Sequence, residues 1–308
     1  MRYIWNDDRK KRTGEIAASK EKRTRKRIRR AILTGLAILL AGAAAGGVAL
    51  HQAQTKQLKE RREELERQEE TQARERREAE ENKTPQERQE EEISKVREQA
   101  REDGCPESLL SLLDKNPETI DFVRDYKENL GKAVPDTVEA VTETGNDGIP
   151  HYLQWDERWG YSAYGTSTIA ASGCGPTCMS MVAVGLTGDV TATPYRMAKY
   201  SEEHGYLDEG NNTYWAFMES AAKDWGLNCT EGMLDEASLA SELQAGHPVI
   251  CSMGPGDFTD AGHFIVLTGY ENGQVRVNDP FSNSHTQKSW NYVDISSQIR
   301  EMWVFYKN

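Results

Sequence analysis

The sequence predicts an α+β domain at the C-terminal end of the chain, reached through a transmembrane helix and a charged helical stalk. Three observations carry this reading. Residues 151–308 show helical apolar spacing first and short β-branched or aromatic runs later, an order of elements that belongs to α+β domains. Residues 31–50, "AILTGLAILLAGAAAGGVAL", hold no charge. Residues 51–103 hold no aromatic side chain and almost no large aliphatic one.

The chain has 308 residues and a formal net charge of −12, unevenly placed. Residues 1–30 carry 13 Lys/Arg against 4 Asp/Glu, which leaves −21 on the rest. An acidic body argues against nucleic acid as its partner. The apolar run is long enough to cross a hydrocarbon layer of roughly 30 Å. Its dense basic flank lies N-terminal, so residues 1–30 are expected to form a cytosolic tail and the rest to lie outside the cell membrane. The competing reading is a cleaved signal peptide with small residues around Ala43–Ala45.

In residues 51–103, Leu58 and Leu65 are seven apart, but the seam dies at Gln72 and Ala79, so no coiled coil is expected. Opposite charges recur four apart (Arg62–Glu66, Glu63–Arg67, Arg74–Glu78, Arg76–Glu80), which favours a solvated single helix. As one helix the stalk would reach roughly 75 Å. Residues 104–130 change character. Leu109, Leu110, Leu112 and Leu113 form one apolar face, Asn116-Pro117 breaks the chain, and Ile120, Phe122, Val123 and Tyr126 form a second. They read as a short helical pair, and residues 131–150 as a linker. In the last domain, "PVICSM" (248–253), "HFIVLTGY" (263–270), "QVRVNDP" (274–280) and "MWVFY" (302–306) read as strands, with "ENG" turning the second into the third. Tyr214, Trp215 and Phe217 are expected in a helix core, with the lining of a groove as the alternative.

The chemistry concentrates around "SGCGPTCMSMV" (172–182). Pro176 suits the first turn of a helix, and Met179, Met181, Val182 and Val184 supply a buried face behind it. Cys174 then stands where free backbone N–H groups favour thiolate over thiol. A thiolate needs a base and an orienting group. His263 opens the most apolar strand and is the preferred base, with His247 as fallback; His151, His204 and His285 fall in linker or polar loop-like stretches. Asp279, ending the next strand before Pro280, is the preferred orienting acid, and Asn278 its nearest rival. Five cysteines (105, 174, 178, 229, 251) are odd in number and too sparse for a disulfide scaffold. No zinc spacing is present, so neither metal nor cofactor is expected.

"QWDERW" (154–159), "SGCGPTCMSMV", "GHFIVLTGY" and "VNDP", in that order, resemble the C39-like cysteine peptidases, relatives of papain. The resemblance implies a papain-like fold, with Cys174 as nucleophile, His263 as base, Asp279 as its orienter and Gln154 as an oxyanion-hole side chain. An amide NH2 at Gln154 is reasonable beside the Cys174 backbone N–H. The family includes leader peptidases fused to ABC exporters, but this sequence has no GxxxxGK[ST] loop, so that role is not carried over. The helical pair, linker and domain together resemble surface proteins of Gram-positive bacteria. The expected substrate is a peptide or a cell-wall peptide. Two other readings stay open. "CGPTC" resembles the thioredoxin "CGPC" with one residue inserted, so Cys174 and Cys178 could form a redox dithiol, although Cys178 is expected to pack the helix. The domain could also bind without catalysis.

Overall fold

The computed structural model describes residues 47–233 and 235–307, with side chains from residue 57 onward. The basic tail and most of the apolar run lie outside the described residues. Gly47–Leu50 open the first described helix, α1 (Gly47–Glu81). Among the described residues, no helix is long and apolar enough to cross a membrane.

α1 carries the expected charge pairs at Arg62–Glu66 (3.1 Å) and Arg74–Glu78 (2.7 Å). Arg67 departs from expectation and donates to the Glu63 carbonyl instead. The charged stretch is not one stalk to residue 103. It breaks before Pro85, and α2 (Pro85–Glu102) belongs to a second compact unit that runs from Pro85 onward. At 1.5 Å per residue α1 is about 52 Å long, shorter than a continuous stalk. The physical reason is a thin apolar stripe on α2. Ile93, Val96 and Ala100 recur at helical spacing, and Val96 and Ala100 are buried against Leu109, Leu110, Leu112, Leu113, Phe122 and Val123.

Residues 104–130 form short helical pieces: Glu107–Leu110, Leu112–Lys115, a 3₁₀ turn at Pro117–Thr119, Ile120–Arg124 and Tyr126–Asn129. Asn116 caps the turn by accepting the Glu118 N–H at 3.0 Å. This segment is not separate from the domain that follows. Phe122 stacks on Tyr161 with centroids 4.1 Å apart, and the Tyr161 hydroxyl donates to the Phe122 carbonyl at 2.6 Å. Nor are residues 131–150 a free linker. Val138 and Ile149 are buried, Arg276 bonds Asp147 through two nitrogens (2.6 and 2.8 Å), and Asn146 donates to the Val277 carbonyl at 3.2 Å.

The remaining residues fold as helices against one antiparallel sheet. The helices are α3 (Cys174–Thr187), α4 (Pro194–Glu203), α5 (Ala216–Asp224) and α6 (Glu236–Gln244). A two-stranded ribbon, β1 (Ala163–Tyr164) and β2 (Ser167–Thr168), precedes α3. The main sheet comprises β3 (Asn228–Glu231), β4 (Val249–Met253), β5 (His263–Glu271), β6 (Gln274–Asn278), β7 (Ser289–Asn291) and β8 (Ile299–Tyr306), in the order β3-β8-β4-β5-β6-β7. The expected turn after β5 has positive φ at Asn272 (51°) and Gly273 (82°), as a two-residue hairpin of matching twist requires.

The near-continuous apolar strands have a simple cause: the sheet is covered on both faces. Ile250, Phe264, Val266, Trp303 and Phe305 join Met179, Val182 and Phe217 in one core. Val249, Cys251, Ile265, Leu267, Val277 and Val304 join Leu239 and Leu243 of α6 in another. Tyr214 and Trp215 correct an expectation: they are 50% and 44% exposed, and only Phe217 is buried. They precede Ala216, the first residue of α5, so helical spacing does not govern them.

The helices of residues 85–130 therefore share a core with the domain after them. Replacing Phe122 by Ala is expected to cost about 3–5 kcal/mol. Urea unfolding of the full chain checks this, and the loss should appear in the transition of the whole 85–307 unit.

Candidate active site

α3 begins at Cys174 with Gly173 at its N-cap. Gly173 approaches the preceding turn so closely that a Cβ there would stand 2.6 Å from the Ile169 carbonyl oxygen. Cys174 is half-buried, and its titration is governed by His263 and by the backbone N–H groups of Gly175 and Phe264. Burial pushes the Cys174 thiol up, but the hydrogen bond and charge of His263 and those two N–H groups more than offset it. The net shift is downward.

His263 opens β5 and is buried. One nitrogen, Nε2, donates to Asp279 Oδ1 at 2.7 Å, which leaves the other for the sulfur. Burial alone would lower its pKa. The Asp279 charge and hydrogen bond, then Cys174, overcome this and raise it to about 10. The two directions agree: both shifts favour thiolate and imidazolium.

Asp279 follows β6 and is 1% exposed, with every polar atom engaged. Oδ1 accepts from His263 and from the Phe281 N–H (2.8 Å), and Oδ2 from His285 Nδ1 (2.6 Å). Its N–H donates to Thr286 Oγ1 (2.9 Å), and its carbonyl accepts from His151 Nε2 (2.6 Å). Burial would raise its pKa. His263, His285 and the Phe281 N–H reverse that and hold it well below the usual carboxylate range.

Three residues of the predicted set therefore converge: Cys174, His263 and Asp279. Gln154 bonds none of their side chains. Its backbone N–H donates to the Pro280 carbonyl and its Nε2 to the Ala170 carbonyl, both at 2.7 Å. One amide hydrogen is thus left over, and Oε1 is buried without a partner. The fallback His247 is elsewhere, bonded to Glu242 at 2.7 Å. Asn278, the last residue of β6, is buried and donates to the Ile149 and Pro150 carbonyls. Cys178 packs in the core with its thiol pKa raised well above normal by burial, and all five cysteines are free. Two histidines that no sequence pattern marks also hold Asp279: His151, expected in a linker, and His285, expected in a polar loop. Among the described residues no group of three or more His, Cys, Asp and Glu side chains is placed to hold a metal ion.

A thiol at a helix start, coupled to an imidazole that is hydrogen-bonded to a buried carboxylate, defines the class: a thiol hydrolase. The chain belongs to the Peptidase_C39 like family, whose profile matches residues 146–308, and it is a cysteine peptidase. Similar solved structures include the peptidase domain of Streptococcus ComA, a bifunctional ABC transporter. It is 20% identical over 44% of this chain and 93% of that one, with TM-score 0.35. A C39-like peptidase from Bacillus anthracis is 16% identical over 56% and 99%, with TM-score 0.35. A double glycine motif protease from an AMS/PCAT transporter, solved with its leader peptide, is 17% identical over 56% and 99%, with TM-score 0.36. A comparison with curated proteins returned no match.

The lowered Cys174 pKa sets a pH dependence. Thiolate persists below the ordinary thiol value of about 8.5, so alkylation of Cys174 by iodoacetamide should continue into the neutral range. In His263→Ala the ion pair is lost while burial remains, so the alkylation midpoint should move up. Mass spectrometry of the Cys174 peptide across pH reads both.

Proposed function

We propose that the chain is a membrane-tethered, extracytoplasmic peptidase that hydrolyses peptide bonds with Cys174, His263, Asp279 and Gln154. The observation that carries this reading is the Asp279–His263 hydrogen bond (2.7 Å) together with the coupling of His263 to the Cys174 thiol at the start of α3. The Cys174 thiolate attacks the scissile carbonyl carbon and forms a tetrahedral oxyanion. The His263 imidazolium gives its proton to the leaving amine, and the C–N bond breaks. Water, deprotonated by the now neutral His263, attacks the thioester and releases the acid, and the proton returns the site to its ion pair. Asp279 holds the ring and its charge throughout. Gln154 suits the oxyanion role because its backbone N–H is held by the Pro280 carbonyl and its side-chain amide by the Ala170 carbonyl, which leaves one amide hydrogen uncommitted. The Cys174 backbone N–H, at a helix start, is the second donor.

The tether rests on sequence. A charge-free run over residues 31–50 follows a strongly basic tail, and α1 continues from it as a solvated helix. Such an arrangement carries the peptidase outside the membrane, where cell-wall peptides and exposed protein chains are both in reach. The redox reading is weaker, since Cys178 is sealed in the core with its thiol held protonated.

Full-length protein should hydrolyse a mixed peptide library or purified cell wall, and Cys174→Ala should not. Equal turnover by both proteins would refute the mechanism. Gln154→Ala should lower kcat by about 100- to 1,000-fold, the usual loss for one oxyanion donor. Fractionation of expressing cells should leave the chain with membranes, and deletion of residues 31–50 should release it.

A further inference from the structure

The turn after Asp279 is held by residues that lie ahead of the family match. Asn116 Nδ2 donates to the Phe281 carbonyl at 2.6 Å, beside Trp155 Nε1 at 2.8 Å. The Glu118 carboxylate accepts the N–H groups of Asn283 (2.8 Å) and Ser284 (3.0 Å) and the Ser282 hydroxyl (3.4 Å). Burial would raise the Glu118 pKa, yet these donors bring it below the usual value, so the carboxylate is bound as an anion. The turn it grips ends in His285. The His285 N–H donates to Ser282 Oγ at 3.2 Å, and its ring stands edge-on to Phe258 and Trp290. From there Nδ1 reaches Asp279 Oδ2.

We infer that His285 is a positioning residue for catalysis, and that the helices of residues 85–130 seat it through Glu118 and Asn116. The inference rests on the Cys174–His263–Asp279 reading. A carboxylate held at one oxygen can still turn about its Cβ–Cγ bond, a soft torsion with broad wells. Turning would carry Oδ1 out of the His263 ring plane and let the imidazole swing away from the sulfur. The Phe281 N–H fixes one oxygen and His285 the other, so the plane is set from both sides. His285 needs only to offer a donor at that point. Glu118 needs two acceptor oxygens for two backbone N–H groups on one turn, which a carboxylate supplies and an amide does not.

The substrate being unidentified, the probe is iodoacetamide, with Cys174 alkylation in the full-length chain followed by mass spectrometry at a pH below the wild-type alkylation midpoint. The rate reports how much thiolate the oriented imidazolium maintains. His285→Leu, which keeps bulk but removes the donor, should raise the thiol pKa and so slow alkylation below the wild-type midpoint, roughly tenfold for a one-unit rise. His285→Asn, whose amide nitrogen can stand where Nδ1 stands, should recover most of the rate. Glu118→Gln should slow alkylation in the same direction. The double variant His285→Leu/Glu118→Gln should be no slower than His285→Leu, because both act through one contact. The urea midpoints of His285→Leu and His285→Asn should match each other, which separates positioning from folding. Full-rate alkylation in His285→Leu would overturn the inference, as would no recovery in His285→Asn or full additivity in the double variant. Library hydrolysis by wild type and Cys174→Ala runs in parallel. If Cys174→Ala stays active, the nucleophile reading falls and the inference with it. If Cys174 is essential and His285→Leu alkylates at full rate, the inference alone falls.

Discussion

A buried carboxylate is tolerated only when its charge is answered, and Asp279 is the one on which this structure turns. It sits 1% exposed among three imidazoles, one backbone N–H and a hydroxyl. An unpaired anion at that depth would cost several kcal/mol or take up a proton. Each partner therefore has to be delivered to it, and each comes from a different part of the chain. His263 arrives on the edge of β5, His285 on a one-turn helix, and His151 from the segment that enters the domain. The chain order looks scattered, but the sheet and the turn after β6 make these positions neighbours.

The thiol side follows from that anion. Asp279 keeps the proton on His263, and His263 keeps the charge on Cys174. The helix contributes N–H groups at its start, and the core behind α3 fixes its position against β5 through Met179, Val182, Phe264 and Val266. Gly173 permits the tight entry that brings Cys174 to the helix start. Fold and chemistry are thus linked by one requirement, that a strand end, a helix start and a turn meet at one point.

Much of this was legible in the residues. Pro176 and the apolar run after it announced the helix, and the position of His263 at the head of an apolar strand announced the base. Asn278 and Asp279 could not be separated by spacing alone; Asn278 is spent on the Ile149 and Pro150 carbonyls, and Asp279, just past the strand end, reaches His263. His285 was not legible, because "SNSHTQK" has no period and its helix is only one turn long. Glu118 was hidden for another reason: its contact spans more than 160 positions and pairs a side chain with backbone N–H groups, which no sequence pattern encodes. The stalk was read too long because Ile93, Val96 and Ala100 make a stripe too thin to stand out among charges. Residues 131–150 looked like a linker because their attachments are polar and single, such as Asn146 and Asp147, and not periodic.

The central claim is that Cys174 and His263 rest as an ion pair maintained by Asp279. NMR of the His263 ring nitrogens in the full-length chain at neutral pH tests it most directly. The account predicts a doubly protonated ring, with both N–H groups shielded from solvent and the charge surviving well into alkaline pH. A neutral ring at pH 7, with one bare nitrogen beside a protonated thiol, would contradict it.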